Sequence, residues 1–422
     1  MRVLLSIPLL SIALVVMWPI TAAAQCDAGN GGITLPVGFC ANVFADNLGT
    51  ARHIVVNSNG DVYVALLKPA HGGGIVALRD THGNGHADVV KYFGEYAGTG
   101  IGIHDGYLYF ATTTEILRYK LRPGELLPQT SPQVVVSGFP EQHEHSAKTI
   151  ALDDAGHLYV NVGAPSNACQ RQDRTRGSPG IKPCPWLAEH GGIWEFDADK
   201  INQVFGKNGV RYATGIRNAV AITWNTRSGA LYVVQMGRDQ LYDNWPKLYT
   251  AAQSAELPAE EFLLVRRGDN FGWPYCYYDQ LQHKKVQAPE YGGDGRTSGD
   301  CGQYGQPVLA FPGHWAPEAV MFYTGKQFPA AYRDGAFIAF HGSWNRAPLP
   351  QAGYNVVFVP FNGLRPSGDY RVFADGFAGV TPIGSPDDAH FRPNGVAMGP
   401  HGALYISDSQ HGRIWRVIYR GR

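Results

Sequence analysis

The chain has almost no charge imbalance. Its 422 residues carry 35 Lys+Arg against 35 Asp+Glu, and charged residues make up only 17%. No electrostatic footprint for nucleic acid or for an anionic membrane is therefore visible. Cysteine is also scarce, at six residues, and none forms a CxxC pair. That weakens a thiolate-metal reading, and the lack of CxxCH argues against covalently attached haem. No amphipathic helical pattern of note runs through the chain. No lipobox precedes Cys26, because Gln25 stands before it.

What the chain does have is turn and strand material. Gly at 52 and Pro at 28 imply many turns, while 22 Tyr and 9 Trp favour strands. Apolar residues at 44% suit a large packed core. The length allows two average domains, or one large all-β domain.

The N-terminus reads as a secretory signal peptide over residues 1–24. Arg2 supplies the positive charge, "VLLSIPLLSIALVVMWPI" the apolar core, and Ala22 and Ala24 a small-residue cleavage site. An uncleaved membrane anchor is the alternative. With cleavage, no membrane span remains in the mature chain, and the expected location is exported, either periplasmic or secreted. In an oxidising compartment the six cysteines are expected to pair. Three sequence-local pairs, Cys26–Cys40, Cys169–Cys184 and Cys276–Cys301, are the expectation among 15 possible pairings.

One pattern recurs six times: an apolar alternating run, a turn with Gly or Asp, then an aromatic-rich strand. It begins at Arg52, Gly100, Lys148, Asn218, Ala319 and Asn394. Repeats of this kind mean stacked or radial units, and strand-rich ones are propeller blades. The reading is an all-β, six-bladed β-propeller forming a single domain over residues 25–422. The 398 residues left after removing 24 give roughly 66 per blade, with the surplus in two Gly/Pro-rich stretches near cysteines. A solenoid is the alternative. "GFCANVFADNL" is expected to be an outer strand closing the ring beside the last blade.

Residues just before each innermost strand should line one mouth of the central channel. Those positions are polar: Arg52-His53, then His145-Ser146-Ala147-Lys148, then Arg217-Asn218, then His390, Arg392 and Asn394, with Asn345 and Arg346 following a strand. Singly, each has an ordinary structural explanation. Together they gather cationic and amide groups that call for an anionic ligand gripped by Arg forks.

At these residues the chain resembles the glucose/sorbosone dehydrogenase family of soluble, pyrroloquinoline-quinone-dependent sugar dehydrogenases, including pyranose dehydrogenases. The resemblance runs through "HSAKTIALDDAGHLYVNVGAPSN", "YATGIRNAVAI", "PAEEFLLVRRGDNFGWPYC", "FHGSWNRAPLPQAGYNVVFV" and "FRPNGVAMGPHGALYISD". It implies His145 as the catalytic base, taking a sugar hydroxyl proton while hydride passes to the quinone. It implies Lys148, Arg217, Asn218, Arg346 and Arg392 as cofactor contacts. It also implies calcium held partly by backbone carbonyls in "QMGRDQ", with Gly237 and Arg238 the candidates. The implied substrate is an aldose, a sorbosone-like sugar or a related polyol. The implied electron acceptor is a separate cytochrome or quinone.

This chain departs from the family pattern at three points. A Gly-Pro in the calcium loop of the best-known members is Gly237-Arg238 here. Ala164 stands where an acidic substrate contact is expected, and Asn394 stands where a second basic residue is expected. Two rival functions remain: a calcium-dependent propeller lactonase, and a non-catalytic propeller that binds a glycan or a protein. Two smaller signals have ordinary explanations. "RDTHGNGHAD", with Asp80, Asn84 and Asp88, reads as a hairpin turn in preference to a calcium loop. His341 either lines the mouth or packs.

Overall fold

The computed structural model describes residues 26–421; the expected signal peptide lies outside them. Six blades follow one another along the chain, antiparallel except that Gln203–Val204 adds to blade 2 in parallel. Blade 1 is Ala51–Val56, Val62–Ala70, Gly73–Arg79 and Val89–Phe93. Blade 2 runs from Gly100–His104 through Tyr107–Ala111 and Ile116–Lys120 to Gln133–Ser137. Blade 3 is Ile150–Leu152, His157–Val162, Gly192–Asp197 and Val210–Thr214. Blade 4 is Ala221–Asn225, Ala230–Gln235, Glu260–Val265 and Leu309–Phe311. Blade 5 is Pro317–Tyr323, Gly335–Phe340, Asn355–Asn362 and Arg371–Ala374. Blade 6 takes Pro393–Met398, Leu404–Asp408 and Ile414–Tyr419 from the C-terminus and Phe39–Ala45 from the N-terminal side.

That last strand closes the ring as expected. Phe39 pairs with Tyr419 and Val43 with Trp415, antiparallel. The three expected disulfides are all present, at Cys26–Cys40, Cys169–Cys184 and Cys276–Cys301. The two long irregular stretches are ordered around them. The second contains a small hairpin of its own, Cys276–Asp279 paired with Lys284–Gln287.

The core lies between blades, not in the channel. Tyr159 and Ile193 of blade 3 pack against Leu231, Val233 and Leu263 of blade 4 in one buried cluster. The alternation seen in the sequence explains this: each blade presents one face to each neighbour, and both faces are buried. Away from the mouth, the six inner strands line the channel with Ile54, Ile103, Leu152, Trp224, Met321 and Met398, one from each blade.

At the polar mouth three of these strands are irregular. Pairing shifts between Ala51 and Ile54, between Pro317 and Ala319, and between Pro393 and Val396. Such bulges turn side chains away from the regular pleat and are common beside functional sites. The residues they displace are Arg52, His53, Glu318 and Asn394. The 79–88 stretch links two outer strands of blade 1 and closes on itself. Asp80 accepts from the amides of Asn84 and Gly85, and Asp88 from the amide of Thr81.

Candidate active site

His145 sits in the turn that leads into blade 3. Its φ is 54°, a left-handed conformation that is strained for a residue with a Cβ and typical of functional positions. Two features hold it there. Gln142 Nε2 donates to the carbonyls of Glu144, His145 and Gly163, at 2.7, 3.0 and 3.0 Å. Gly163 leaves the necessary room, since a Cβ there would lie 2.6 Å from the His145 Cβ.

The imidazole Nδ1 lies 2.5 Å from the Ala164 carbonyl oxygen. A carbonyl can only accept, so Nδ1 carries the proton and Nε2 keeps a lone pair. Burial, then the charge of Arg217, lowers the His145 pKa to about 4. Ala164, the apparent loss of an acidic neighbour, thus orients the ring through its backbone. His143, two residues earlier, is exposed.

Lys148 lies three residues further on and is 1% exposed. Its ammonium donates to the Ser146 carbonyl at 3.0 Å. Among the described residues no carboxylate lies within ion-pairing distance of it. Burial lowers its pKa to about 8. A buried cation without a counter-charge is costly and marks a place made for an anion.

Arg392, on the blade 6 side, is comparable. It donates to the His341 and Gly342 carbonyls at 3.1 and 2.6 Å and lies over the Tyr354 ring, with no carboxylate partner among the described residues. His341, whose carbonyl Arg392 holds, pairs with Ser409 Oγ at 2.7 Å. Next to Arg392 stands Asn394, fully buried, with both amide atoms lacking a hydrogen-bond partner. Buried polar groups are normally satisfied, so an unpaired carboxamide here points to an absent ligand.

The blade 4 side is different. Arg217 is buried and fully engaged: with Asp239 at 2.8 Å, the Gly237 carbonyl at 2.8 Å, and Asn167 through its carbonyl and side chain. Asn218 makes only weak contacts, to Met236 Sδ at 3.5 Å and from Asn161 at 3.4 Å. Asp239 also accepts from Asn345 at 2.9 Å and from Arg174 at 3.0 Å, and the charges of Arg217 and then Arg174 hold its pKa at about 2 against burial. Arg346 turns to the end of the short helix Ala251–Glu256. It pairs there with Glu256 and donates to the Ala255 carbonyl.

The chain matches the TrAA12-like family over residues 33–420. It belongs to that family. Among curated proteins, a Borreliella burgdorferi protein of uncharacterised function is 27% identical over 209 residues, 49% of this chain and 48% of that one. The pyrroloquinoline quinone-dependent pyranose dehydrogenase of Coprinopsis cinerea is 30% identical over 213 residues, 44% of this chain. The matched stretch spans 27% of that relative's length. Among solved structures, the holo form of the Coprinopsis cinerea pyranose dehydrogenase PQQ domain superposes with TM-score 0.74 at 20% identity, covering 92% of this chain and 97% of the other. That likeness bears out the six-bladed propeller.

The donor sets of this TrAA12-like chain fit the two implied groups unequally. An anionic, acceptor-rich quinone fits the mouth, because Lys148, Arg392 and Asn394 all have unused capacity. A cation does not fit the Gly237–Arg238 loop as it is arranged. The Gly237 carbonyl already accepts from Arg217. Arg238 brings a buried guanidinium, paired with Glu290 at 2.5 and 2.6 Å. Among the described residues no group of three His, Cys, Asp or Glu gathers around a common point.

Reading the sequence for strand starts missed Asp239, Arg174, Glu144 and Asn167. They lie in turns and loops that propeller periodicity does not index. The signals were "RQDRTR", an unusually charged run inside a cysteine-closed loop, and the quoted motifs that end in Asn167 and contain Asp239.

Proposed function

We propose that the chain is a pyrroloquinoline-quinone-dependent oxidoreductase acting on an aldose, a sorbosone-like sugar or a related polyol. The observation that carries this reading is His145. Its Nδ1 proton is committed to the Ala164 carbonyl, which leaves Nε2 as the acceptor, and three residues on Lys148 is a buried ammonium with no carboxylate partner among the described residues. Family membership and the activity named for the Coprinopsis cinerea relative support it.

When bound, the quinone supplies the two-electron acceptor for hydride. The chain's own residues do the rest. Lys148, Arg392 and Asn394 bind and orient an anionic, planar ligand by charge-assisted and amide hydrogen bonds. Asn218, with only weak internal contacts, offers a further amide. Arg217, paired with Asp239, fixes the blade 4 wall of the mouth. His145 Nε2 takes the proton of a substrate hydroxyl, and the Ala164 carbonyl keeps the ring in the competent tautomer. With its pKa near 4, the imidazole is unprotonated at neutral pH. Three inferences complete the reading: export from the cell, a separate cytochrome or quinone as acceptor, and a small-molecule sugar as substrate.

A propeller lactonase would need carboxylates free to converge on one ion. Here Asp239, Glu290 and Glu318 are each held by an arginine, and Glu260 by the amides of Gly237 and Ala316. The test uses the purified chain. Added quinone should titrate by absorbance and bring dye-linked sugar oxidation. His145→Ala should still bind quinone while turnover drops by about 10²-fold or more. Absence of quinone binding in the unaltered chain would overturn the dehydrogenase reading. Unchanged turnover in the variant would remove His145 from it.

A further inference from the structure

The loop closed by Cys169–Cys184 delivers one side chain to the site. Arg174 places Nε and Nη2 on the Glu144 carboxylate at 2.8 and 3.1 Å. Its Nη1 reaches Asp239 Oδ2 at 3.0 Å and Gln240 Oε1 at 3.2 Å. Glu144 is the residue before His145 in the chain. The same Asp239 oxygen accepts from Arg217 at 2.8 Å. One guanidinium thus joins the turn carrying His145 to the blade 4 loop that anchors Arg217.

The backbone around this junction is shaped for it. His145, Cys169, Arg174 and Gln240 all have positive φ, at 54, 51, 52 and 62°. Strain clustered in this way persists only where surrounding contacts over-determine it. Gln170 secures the loop locally, accepting from the Arg174 amide at 2.9 Å and donating to the Thr175 and Ser178 carbonyls, both at 3.2 Å. Asn167 ties the loop's start to the Asp239 carbonyl at 3.0 Å. Arg174 remains partly exposed, with side-chain accessibility of 26%.

We propose that Arg174 is a positioning residue for the reaction, fixing the His145 turn to the Arg217 loop and setting the charge that the imidazole feels from Glu144 and Asp239. This rests on His145 acting as the base. The charged groups facing the imidazole are Arg217 from the blade 4 side, Asp239 from the loop after the second strand of blade 4, and Glu144 from its own turn. Arg174 and Asp173 lie behind Glu144 in the closed loop, and Lys148 follows on the same segment. Glu144 and Asp239 favour the imidazolium, Arg217 opposes it, and Arg174 neutralises both carboxylates.

The signs follow from this arrangement. Arg174→Gln leaves Glu144 and Asp239 less compensated, so the His145 titration midpoint rises, by about one pH unit. Glu144→Gln removes an attraction, so the midpoint falls. Simple loosening of the turn would expose the ring and raise the midpoint in both variants. Arg174→Lys restores charge without the bidentate fork, so it returns the midpoint and leaves turnover depressed about tenfold.

The experiment is a His145 ring titration by NMR in the full chain without quinone, assigned with His145→Ala, alongside kcat and KM for the loaded enzyme. Opposite midpoint shifts in the two Gln variants, with kcat falling and KM little changed in Arg174→Gln, support the proposal. Midpoints moving in the same direction, or no change in midpoint and kcat, overturn it. Should Arg174→Gln not fold, the Glu144→Gln midpoint and the Arg174→Lys turnover decide. The titration needs no activity. If His145→Ala retained turnover while the midpoints shifted as stated, the base reading would fall and the electrostatic coupling would stand.

Discussion

The cations around the channel mouth form two sets, held in opposite ways. Arg217 and Arg238 of blade 4 and Arg174 of the closed blade 3 loop are each paired with a carboxylate at 3.0 Å or less. Lys148 and Arg392 have carbonyl partners and no carboxylate among the described residues. The paired cations form a rigid wall whose charges are already balanced. The unpaired ones keep their charge for a ligand, and the fold bears the desolvation cost in its absence.

Substituting one cation from each set should separate the two roles most sharply. Arg217→Met removes one of the two guanidiniums on Asp239 together with the Arg217 hydrogen bonds to Asn167 and the Gly237 carbonyl, and unfolding free energy should fall by about 3 kcal/mol. Lys148→Met removes a buried charge that nothing balances. Its thermal midpoint should hold or rise, while quinone affinity drops about tenfold or more. Thermal melts and absorbance titrations on both variants check this. Equal stability losses would erase the distinction between the two sets.

A smaller effect is expected from pH. Burial holds Lys148 near 8, below its ordinary 10.5. A ligand that needs the ammonium therefore binds with constant affinity below about pH 8, and the affinity falls by up to about tenfold per pH unit above it. The unaltered chain should show this fall. In Lys148→Met it should disappear. A titration series between pH 6 and 10 reads it directly, and an unaltered slope in the variant would assign the fall elsewhere.

The smallest expected effect is that of chelation. Arg217 already occupies the Gly237 carbonyl and Arg238 is locked on Glu290. Quinone affinity with EDTA should then differ from that with added calcium by less than about threefold. A gain of tenfold or more with calcium would mean that Arg217 releases the carbonyl, and that the paired wall opens when the ligand binds.

Much of this was legible in the sequence. Alternation around "DAGHLYVNVG" and its five counterparts located the six inner strands. "GFCANVFADNL" located the closing strand, and cysteine spacing the three disulfides. The polar lead-ins located the mouth. Arg346 shows where such reading stops. It follows a strand in a motif pointing to the site, yet its guanidinium turns to Glu256, 90 positions away in the chain.

What the sequence determined by itself was therefore the blade pattern and which residues arrive at the mouth. Both depend on local alternation and on the order of turns, and these act over a few residues. The tertiary structure alone decided which of those residues are neutralised and which remain available. Asp239 meets Arg174 and Arg217 from segments 65 and 22 positions distant. Lys148 meets no carboxylate at all among the described residues. Whether a buried charge finds a partner depends on how loops from different blades converge, and no local pattern encodes that convergence.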